Sequence, residues 1–237
     1  MGTKNLLPFI SNEDLYQHVG VVLDKAKEAK RKAEENIFSN VVDPFSALFD
    51  ISYQGITFDR WLKQEKSRQT QKTLQNAIGN FHQSIIGSVY GWENLNTGVV
   101  ADVVNSEKRI VAEIKNKHNT TKGNHRPKVY EDLKLLITTT YKGYRSYYVE
   151  IIPKNKMSYD VPFVPSNNRK HERMASNKNI RVIDGKSFYA LATGYPNALR
   201  DLYDVLPQVI ADIQGKVMGE AFEKETFSDL FKRAYEE

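Results

Sequence analysis

Apolar residues recur at steps of three and four along several stretches of the chain, the spacing that predicts amphipathic helices. The first helix is predicted to begin at Ser11 or Asn12, which both suit an N-cap, and to end near residue 36. A second long helix is predicted to start near Phe58. Its inward apolar stripe consists of Leu74, Ile78, Phe81, Ile85 and Val89. The N-terminal part of the chain is therefore predicted to be mostly helical.

The hydrophobic period shortens to that of β-strands after the turn-rich segment GWENLNTG. The runs VVADVVN and RIVAEIKNK are short and rich in β-branched residues, and the polar stretch between them suits a hairpin connection. We expect a two-residue connection at Ser106 and Glu107.

Two later strands are predicted in YRSYYVEIIP and IRVIDG. A helix from Pro127 to near Gly143 separates the hairpin from the first of them, and a strand reached through a helix pairs parallel to the preceding strand. Another helix covers residues 197–214. The pattern predicts an α/β protein in which a mixed β-sheet is flanked by helices and preceded by a helical N-terminal region.

The chain shows no internal repeat and no low-complexity linker. Its 237 residues are enough for one substantial hydrophobic core, so we expect a single domain over residues 1–237. Within it we distinguish a helical N-terminal region (1–69), a core (70–215) and a C-terminal helix (216–237).

Composition limits the function classes. Hydrophobic residues make up 40% and charged residues 27% of the chain, values that speak against a disordered or a membrane protein. No apolar run approaches the roughly 18 residues of a membrane span, and MGTKNLLPFI lacks a signal-peptide pattern, so we expect a cytoplasmic protein. The absence of cysteine excludes disulfides, thiolate metal sites and a cysteine nucleophile. A net charge of +5 favours a polyanionic partner.

The predicted hairpin carries two carboxylates and a lysine, Asp102, Glu113 and Lys115. Side chains alternate along a strand, so Glu113 and Lys115 project from one face. With the expected connection, Asp102 lies near Val111 and diagonally across from Glu113. The two carboxylates share a face if this register holds or is adjusted by a bulge.

Two adjacent carboxylates repel each other unless a cation joins them, and Mg²⁺ typically takes one or two carboxylates together with phosphate oxygens and water. The main-chain carbonyl of Ile114 is in a position to add a ligand. Lys115 can help to deprotonate an attacking water or stabilise charge on a phosphorane. The alternative is a set of cross-strand charge pairs on a solvated sheet face. The β-branched residues of IVAEIKNK instead indicate a buried strand, where carboxylates need partners or a metal.

The arrangement D-x10-E-x-K on a strand hairpin resembles the signature of PD-(D/E)xK nucleases. The surrounding segments IGNFHQSIIGSVYGWENLNTG, EIKNKHNTTKG and IDGKSFYALATGYPNALRDLYDVLP resemble type II restriction endonucleases of the SinI and AvaII kind, which cut GG(A/T)CC. The resemblance covers about residues 70–210. It departs from the superfamily signature at Ala101, where a proline often precedes the aspartate.

The resemblance implies a restriction-endonuclease-like core in which Asp102 and Glu113 bind Mg²⁺ and Lys115 acts on the attacking water. Such nucleases often place an acidic residue on a preceding helix. Here that helix offers His82 and Gln83, and Gln83 could orient a metal-bound water. His82 has an equally weighted alternative as a residue hydrogen-bonded at a packed interface. A further candidate is Glu93, if the loop that contains Trp92 folds back.

Two polar runs are candidate DNA-binding segments. The first is rich in hydrogen-bond donors and follows Lys115 directly: Asn116, Lys117, His118, Asn119, Thr120, Lys122, Asn124, His125 and Arg126. The second lies in residues 162–181, is expected to form a long loop around DNA, and offers Arg169, Lys170 and Arg173. Arginine and lysine suit the acceptor edge of guanine, and other residues of both runs would bind phosphates. The alternatives are an ordinary polar loop for the first run and a mobile solvated loop for the second.

Together these features imply a Mg²⁺-dependent type II restriction endonuclease, active as a homodimer on both strands of a short palindromic DNA site such as GGWCC or GGNCC. It would function together with a cognate DNA methyltransferase. Another nuclease with the same fold, for repair or junction resolution, and a catalytically silent DNA-binding module are the alternatives. The N-terminal helix and the C-terminal segment are both candidates for the dimer surface.

Overall fold

The computed structural model describes residues 5–95, 100–167, 172–215 and 224–236. Its helices are α1 (Asn12–Glu35), α2 (Pro44–Gln54), α3 (Phe58–Gly87), α4 (Arg126–Thr138), α5 (Gly185–Thr193), α6 (Ala198–Gln214) and α7 (Lys224–Tyr235). Its strands are β1 (Trp92–Asn94), β2 (Val103–Asn105), β3 (Ile110–Lys117), β4 (Arg145–Ile152), β5 (Asp160–Pro162), β6 (Ser166–Asn167), β7 (Glu172–Arg173) and β8 (Ile180–Asp184). The predicted α/β fold with a helical N-terminal region is confirmed.

The two long N-terminal helices form where their sequence signals predict them. Ser11 caps α1, since its hydroxyl accepts a hydrogen bond of 3.0 Å from the N–H of Asp14. Thr57 caps α3 in the same way through the N–H of Arg60. Because α3 continues through positions 69 and 70, the helical N-terminal region and the core share this helix.

The main sheet has six strands in the order β1-β2-β3-β4-β8-β5. Strands β3, β4 and β8 are parallel in the centre, and β1, β2 and β5 pair antiparallel at the two edges. The helix α4 connects β3 to β4, which gives this pair the predicted parallel direction. The short strands β6 and β7 pair separately.

Helices cover the sheet on both faces, and each face has its own hydrophobic core. On one face α1, α3, α5 and α6 pack around residues such as Ile85, Val149 and Tyr189. On the other face α4 packs over Val111 and Tyr148. Side chains alternate along a strand, so Glu113 and Lys115, two and four residues after Val111, project toward the same α4 face as Val111.

The register of the hairpin differs from the prediction. Val103 pairs with Ala112, and the connection comprises the four residues 106–109. The expected two-residue connection at Ser106 and Glu107, with Asp102 opposite Val111, is therefore wrong.

The longer connection is stabilised by its own residues. The side chain of Asn105 accepts a 2.7 Å hydrogen bond from the N–H of Lys108, which folds the chain back after β2. Arg109 then takes a left-handed conformation with φ of 53° and leads into β3. This conformation is uncommon for a residue other than glycine, which is why the sequence pattern did not indicate it.

Three further boundaries differ from the predictions. The helix predicted to reach Gly143 ends at Thr138, where the N–H of Thr139 still donates to the carbonyl of Leu135. The turn-rich segment after α3 contains β1. The long loop predicted over residues 162–181 contains the short strands β6 and β7.

Within the described ranges, none of the helices is long and apolar enough to cross a membrane. The longest, α3, has 30 residues and carries charged and polar side chains along most of its length.

Candidate active site

Asp102 is fixed at the start of β2 by hydrogen bonds in two directions. Its N–H donates to the carbonyl of Ala112 on β3, and its carbonyl accepts from the N–H of Leu95. Its carboxylate accepts a 2.6 Å hydrogen bond from the N–H of Ile114. The paired residues of β2 and β3 end at Val103 and Ala112, and Asp102 lies just before this pair with its carboxyl group hydrogen-bonded to that of Glu113. The structure thus brings the two carboxyl groups together, as the sequence pattern predicted.

Glu113 and Lys115 form an ion pair on the same face of β3. Their side chains are 13% and 27% exposed, so solvent screens this pair only in part. Glu113 and Lys115 are paired across the parallel ladder with Tyr148 and Glu150 of β4. The three predicted catalytic side chains therefore converge on one side of the sheet, at the hairpin.

The cluster shifts the pKa values of its members. Burial raises the pKa of Glu113 to about 7, and the neighbouring negative charge of Asp102 contributes to the same shift. Burial also raises the pKa of Asp102, although the hydrogen bond from Ile114 opposes the shift. Burial disfavours the charged form of Lys115, but the two carboxylates outweigh this effect and its pKa is raised. One positive charge thus faces two crowded carboxylates, an arrangement that a divalent cation would relieve.

The donor set fits a hard divalent cation such as Mg²⁺. Two partly buried carboxyl groups are in contact with each other, and the main chain of Ile114 lies between Glu113 and Lys115 on the same strand. In the part of the chain that the structure describes, no group of three or more histidine, aspartate or glutamate side chains could hold a metal. Mg²⁺ does not need such a group, because it commonly binds through one or two carboxylates, with water and substrate phosphates as further ligands.

The candidates on the preceding helix lie elsewhere. His82 is hydrogen-bonded through Nδ1 to the hydroxyl of Tyr189 at 2.8 Å, and burial lowers its pKa to about 4. These contacts match the alternative of a histidine at a packed interface. Gln83 is half-buried on α3, which packs on the sheet face opposite α4. A role of Gln83 in orienting water stays a prediction.

Glu93 has a different position from both helix residues. It lies on β1 opposite Val104, so it projects from the same sheet face as Asp102, and its side chain is exposed. Glu93 thus lies one strand away from the carboxylate pair.

The donor-rich run after Lys115 divides into two groups in the structure. Asn116 and Lys117 complete β3 and line an apolar groove that also contains residues of α1, α3, α6 and α7. The hydrogen bonds between Lys117 and Thr120 then form a tight turn. The exposed members beyond β3 are Asn119, Thr120, Lys122, Asn124 and His125. His118 is half-buried, and its N–H donates to the carbonyl of Ile152.

Arg126 ends this run in a different environment. Its guanidinium donates a 2.8 Å hydrogen bond to buried Glu150 and another of 3.3 Å to the carbonyl of His118. It also lies over the rings of Tyr148 and Phe163, at 5.2 and 5.4 Å from their centroids. These contacts anchor the run to the sheet, so Arg126 has a structural role in addition to any contact with DNA.

Glu150 is a residue of the site region that the sequence interpretation missed. It is 4% exposed, accepts a hydrogen bond from the hydroxyl of Tyr159 and pairs across the ladder with Lys115. A single glutamate inside the apolar run SYYVEII is the signal that could have indicated it, since a buried carboxylate needs a partner.

The second basic run is described only in part. Arg169 and Lys170 lie outside the described residues. Arg173 lies on β7, pairs with Ser166 of β6 and is exposed. Farther along, Arg181 forms an ion pair of 2.5 Å with Asp160 and is therefore already neutralised.

Comparison with known proteins gives two relatives and one family. Residues 7–214 match the Eco47II restriction endonuclease family. The chain is 42% identical to the type II restriction enzyme Eco47II of Escherichia coli over 238 aligned positions, which cover 98% of this chain and 99% of that protein. It is 29% identical to the type II restriction enzyme Sau96I of Staphylococcus aureus, over 98% of this chain and 90% of that protein. No solved structure matches the chain significantly.

Proposed function

Since the chain belongs to the Eco47II restriction endonuclease family and is a type II restriction enzyme, we propose that it hydrolyses both strands of a short palindromic site in double-stranded DNA with Mg²⁺ as cofactor. We propose GGWCC or GGNCC as the site, from the resemblance of its core segments to the SinI and AvaII kind. The enzyme would act in the cytoplasm beside a cognate DNA methyltransferase that protects the host sites.

The observation that carries this proposal is the contact between the carboxyl groups of Asp102 and Glu113, with Lys115 paired to Glu113 beside them. A protein that only binds a polyanion gains nothing from two carboxylates aimed at it, because they repel the phosphates. A phosphodiester hydrolase needs them, since they hold the cation that neutralises the phosphate. The same observation disfavours a catalytically silent DNA-binding module.

Each residue would have a separate task in the reaction. Asp102 and Glu113 would hold Mg²⁺, and the carbonyl of Ile114 would add an uncharged ligand. The metal supplies positive charge against the phosphate oxygens and lowers the pKa of water. Lys115, whose ammonium pairs with Glu113 in the structure, would orient the attacking water and offset negative charge as the phosphate is attacked.

The sequence-reading surface would be the exposed part of the run after β3. Lys122, Asn124 and His125 are exposed and follow the catalytic strand within a few residues, so DNA bound at the carboxylates would lie against them. Other members of the run, and Arg169, Lys170 and Arg173 of the second run, would contact phosphates and position the duplex. Two copies of the chain would place one active site at each strand of the palindrome.

A plasmid digestion tests the proposal. The protein is incubated with sequenced plasmid in Mg²⁺ or in EDTA, and the fragment ends are sequenced. We expect cuts only with Mg²⁺ and only at GGWCC or GGNCC sites. Glu113→Ala should abolish cleavage, while Glu107→Ala, which removes an exposed carboxylate from the same hairpin, should cleave like the wild type.

Other outcomes separate the alternatives. Metal-dependent cuts at unrelated sequences would refute the proposed site and retain the nuclease. Preference for branched or damaged DNA over a defined short site would indicate a repair or junction-resolving enzyme. Specific binding without any cleavage in Mg²⁺ would indicate a silent binding module.

A further inference from the structure

The helix α2 exposes an apolar face that its own chain does not cover. The face consists of Phe45, Leu48, Phe49 and Tyr53, whose spacing places them on one side of the helix, and these side chains are exposed by 72%, 62%, 74% and 92%. None of the residues of α2 is buried. A helix of 11 residues is marginal by itself in water, so it depends on packing for its stability.

The ends of α2 are nevertheless well defined. Asp43 accepts hydrogen bonds from the N–H groups of Phe45 and Ser46, Pro44 occupies the first turn, and Gly55 ends the helix with φ of 61°. The opposite side of α2 faces α3. Asp50 of α2 accepts a hydrogen bond of 3.1 Å from the indole of Trp61 on α3. The helix is therefore held in a fixed orientation that presents its apolar face to the outside.

Three further large apolar side chains next to α2 in the sequence are also exposed. Val41 before α2 and Phe58 after it are exposed by 101% and 51%, and Phe38 is exposed by 61%. Side chains of this size carry roughly 150–250 Å² each, so these seven offer on the order of 900 Å² of apolar surface. The largest patch on a typical monomer is about 300–600 Å², while a stable interface covers about 800 Å² on each partner. The area matches one half of a protein interface.

The charge of this segment identifies the kind of occupant. Residues 37–57 contain two aspartates and no lysine or arginine. Asp43 caps α2, and Asp50 lies 3.5 Å from the guanidinium of Arg68 in addition to its contact with Trp61. A segment without cations cannot bind DNA through its phosphates. It also lacks the basic flank of a helix that lies on a membrane surface. The surface that packs against this face of α2 should therefore be apolar and uncharged. The same face of a second copy of this chain is such a surface.

The two other dimerisation candidates use their apolar faces within the chain. On α1, Leu15 and Val19 are buried, and on α7, Phe231 and Tyr235 are buried, in the core that these helices share with α6. Both helices therefore use their apolar faces within one chain, whereas the apolar face of α2 is exposed.

We propose that two copies of the chain associate through the face of α2 formed by Phe45, Leu48, Phe49 and Tyr53, packed against the same face of the partner about a two-fold axis. An isologous contact of this kind closes at two subunits. The inference rests on the proposed function, because cleavage of both strands of a palindrome requires a second active site. It names the surface that the homodimer would use.

Sedimentation of the full chain without DNA or metal tests this surface. We expect the wild type to sediment at twice 27.2 kDa. Leu48→Glu and Phe49→Glu should each weaken self-association by about 30-fold or more, the effect of losing a central interface residue. Leu135→Glu places the same charge on α4 at a side chain that is 60% exposed, and it should leave association unchanged. A monomeric wild type, or unchanged association of both α2 variants, would overturn the proposal.

A second measurement covers variants that fail to fold. Because the chain has no cysteine, a single introduced thiol can only form a disulfide with another copy. Phe49→Cys should cross-link under mild oxidation at least ten times faster than Leu135→Cys, and equal rates would overturn the proposal. Co-sedimentation of the wild type with phosphatidylcholine vesicles that Phe49→Glu abolishes would assign α2 to lipid and also overturn it. A dimer that depends on α2 in a protein without nuclease activity would support this surface and refute the proposed function.

Discussion

The carboxylate of Asp102 accepts a 2.6 Å hydrogen bond from the backbone N–H of Ile114, so the side chain of one strand holds the main chain of the next beside Glu113. This contact gives Asp102 a structural task in addition to the metal binding that we propose for it. The two tasks can be separated by substitution, because the hydrogen bond needs an oxygen and the metal needs a charge.

Asp102→Asn and Asp102→Leu should therefore differ in stability, although neither should cleave DNA. Asparagine keeps an oxygen for the N–H of Ile114 and removes a crowded charge, so its free energy of unfolding in EDTA should equal or exceed that of the wild type. Leucine leaves a buried N–H without a partner, which costs about 1–3 kcal/mol. Both variants should lose cleavage. Urea unfolding and plasmid digestion measure the two effects, and equal destabilisation by both variants would contradict the role of this hydrogen bond.

The stability of the metal-free protein should fall as the pH rises through neutrality. Folding raises the pKa of Glu113 from its ordinary value of 4.5 to about 7, so the folded state binds this proton more tightly than the unfolded state does. The resulting stabilisation is complete below pH 4.5 and is lost as the pH rises through about 7. It amounts to on the order of 3 kcal/mol.

Glu113→Gln is the variant that checks this dependence. It should remove most of the decrease in unfolding free energy between pH 5 and pH 8 in EDTA, and at pH 8 it should be more stable than the wild type. Mg²⁺ should restore stability to the wild type alone, because a ligand that binds only the folded state stabilises it. Glu107→Gln, on the exposed connection of the same hairpin, should keep the pH profile of the wild type. A flat wild-type profile would contradict the raised pKa of Glu113.

The sequence predicted which side chains cluster at the candidate site, but it did not predict the geometry of the hairpin that carries them. The sequence indicated Asp102, Glu113 and Lys115 because charged side chains in a buried, β-branched strand need partners or a metal. Their relative position depended on the hairpin connection, and the prediction missed the side-chain hydrogen bond of Asn105 and the left-handed conformation of Arg109. Such turns depend on a local contact that a hydrophobic period does not contain.

The helices show the same division between local and tertiary information. The ends of α1 and α3 follow from caps and apolar steps, which are local signals. By contrast, nothing in the sequence around Arg126 distinguishes it from its exposed neighbours, and only β4 supplies the partner Glu150. The exposure of α2 was equally inaccessible, because an aromatic-rich segment predicts packing without showing which surface it packs on.

Lys115 is expected to contribute to the reaction and little to folding. Lys115→Met keeps the length of the side chain without its charge, and it should lower the rate of cleavage by about 10²- to 10⁴-fold with Mg²⁺ at saturating concentration. DNA binding in Ca²⁺ should change much less, because one phosphate-proximal charge is lost among many. Single-turnover cleavage and gel-shift titration measure the two quantities. Lys142→Met, at an exposed lysine between α4 and β4, serves as a control and should cleave normally.

Removal of the Arg126 side chain should lower the stability of the protein, whereas removal of the Lys122 side chain should not. The two residues lie in the same basic run. Arg126→Ala leaves the buried carboxylate of Glu150 without its guanidinium partner and removes the contacts with Tyr148 and Phe163. The expected loss of unfolding free energy is on the order of 3 kcal/mol. Lys122→Ala removes an exposed side chain, so stability should stay within about 0.5 kcal/mol of the wild type.

Lys122, unlike Arg126, should affect DNA binding more than stability. Lys122→Ala should reduce the slope of log binding constant against log salt concentration by about one, if this lysine contacts a phosphate. Arg126→Ala combined with Glu150→Gln should recover much of the stability lost by Arg126→Ala, because no buried charge is then left unpaired. Denaturant unfolding of the single and double variants measures this recovery. An Arg126→Ala protein with wild-type stability would show that the anchor to Glu150 does not hold the run in place.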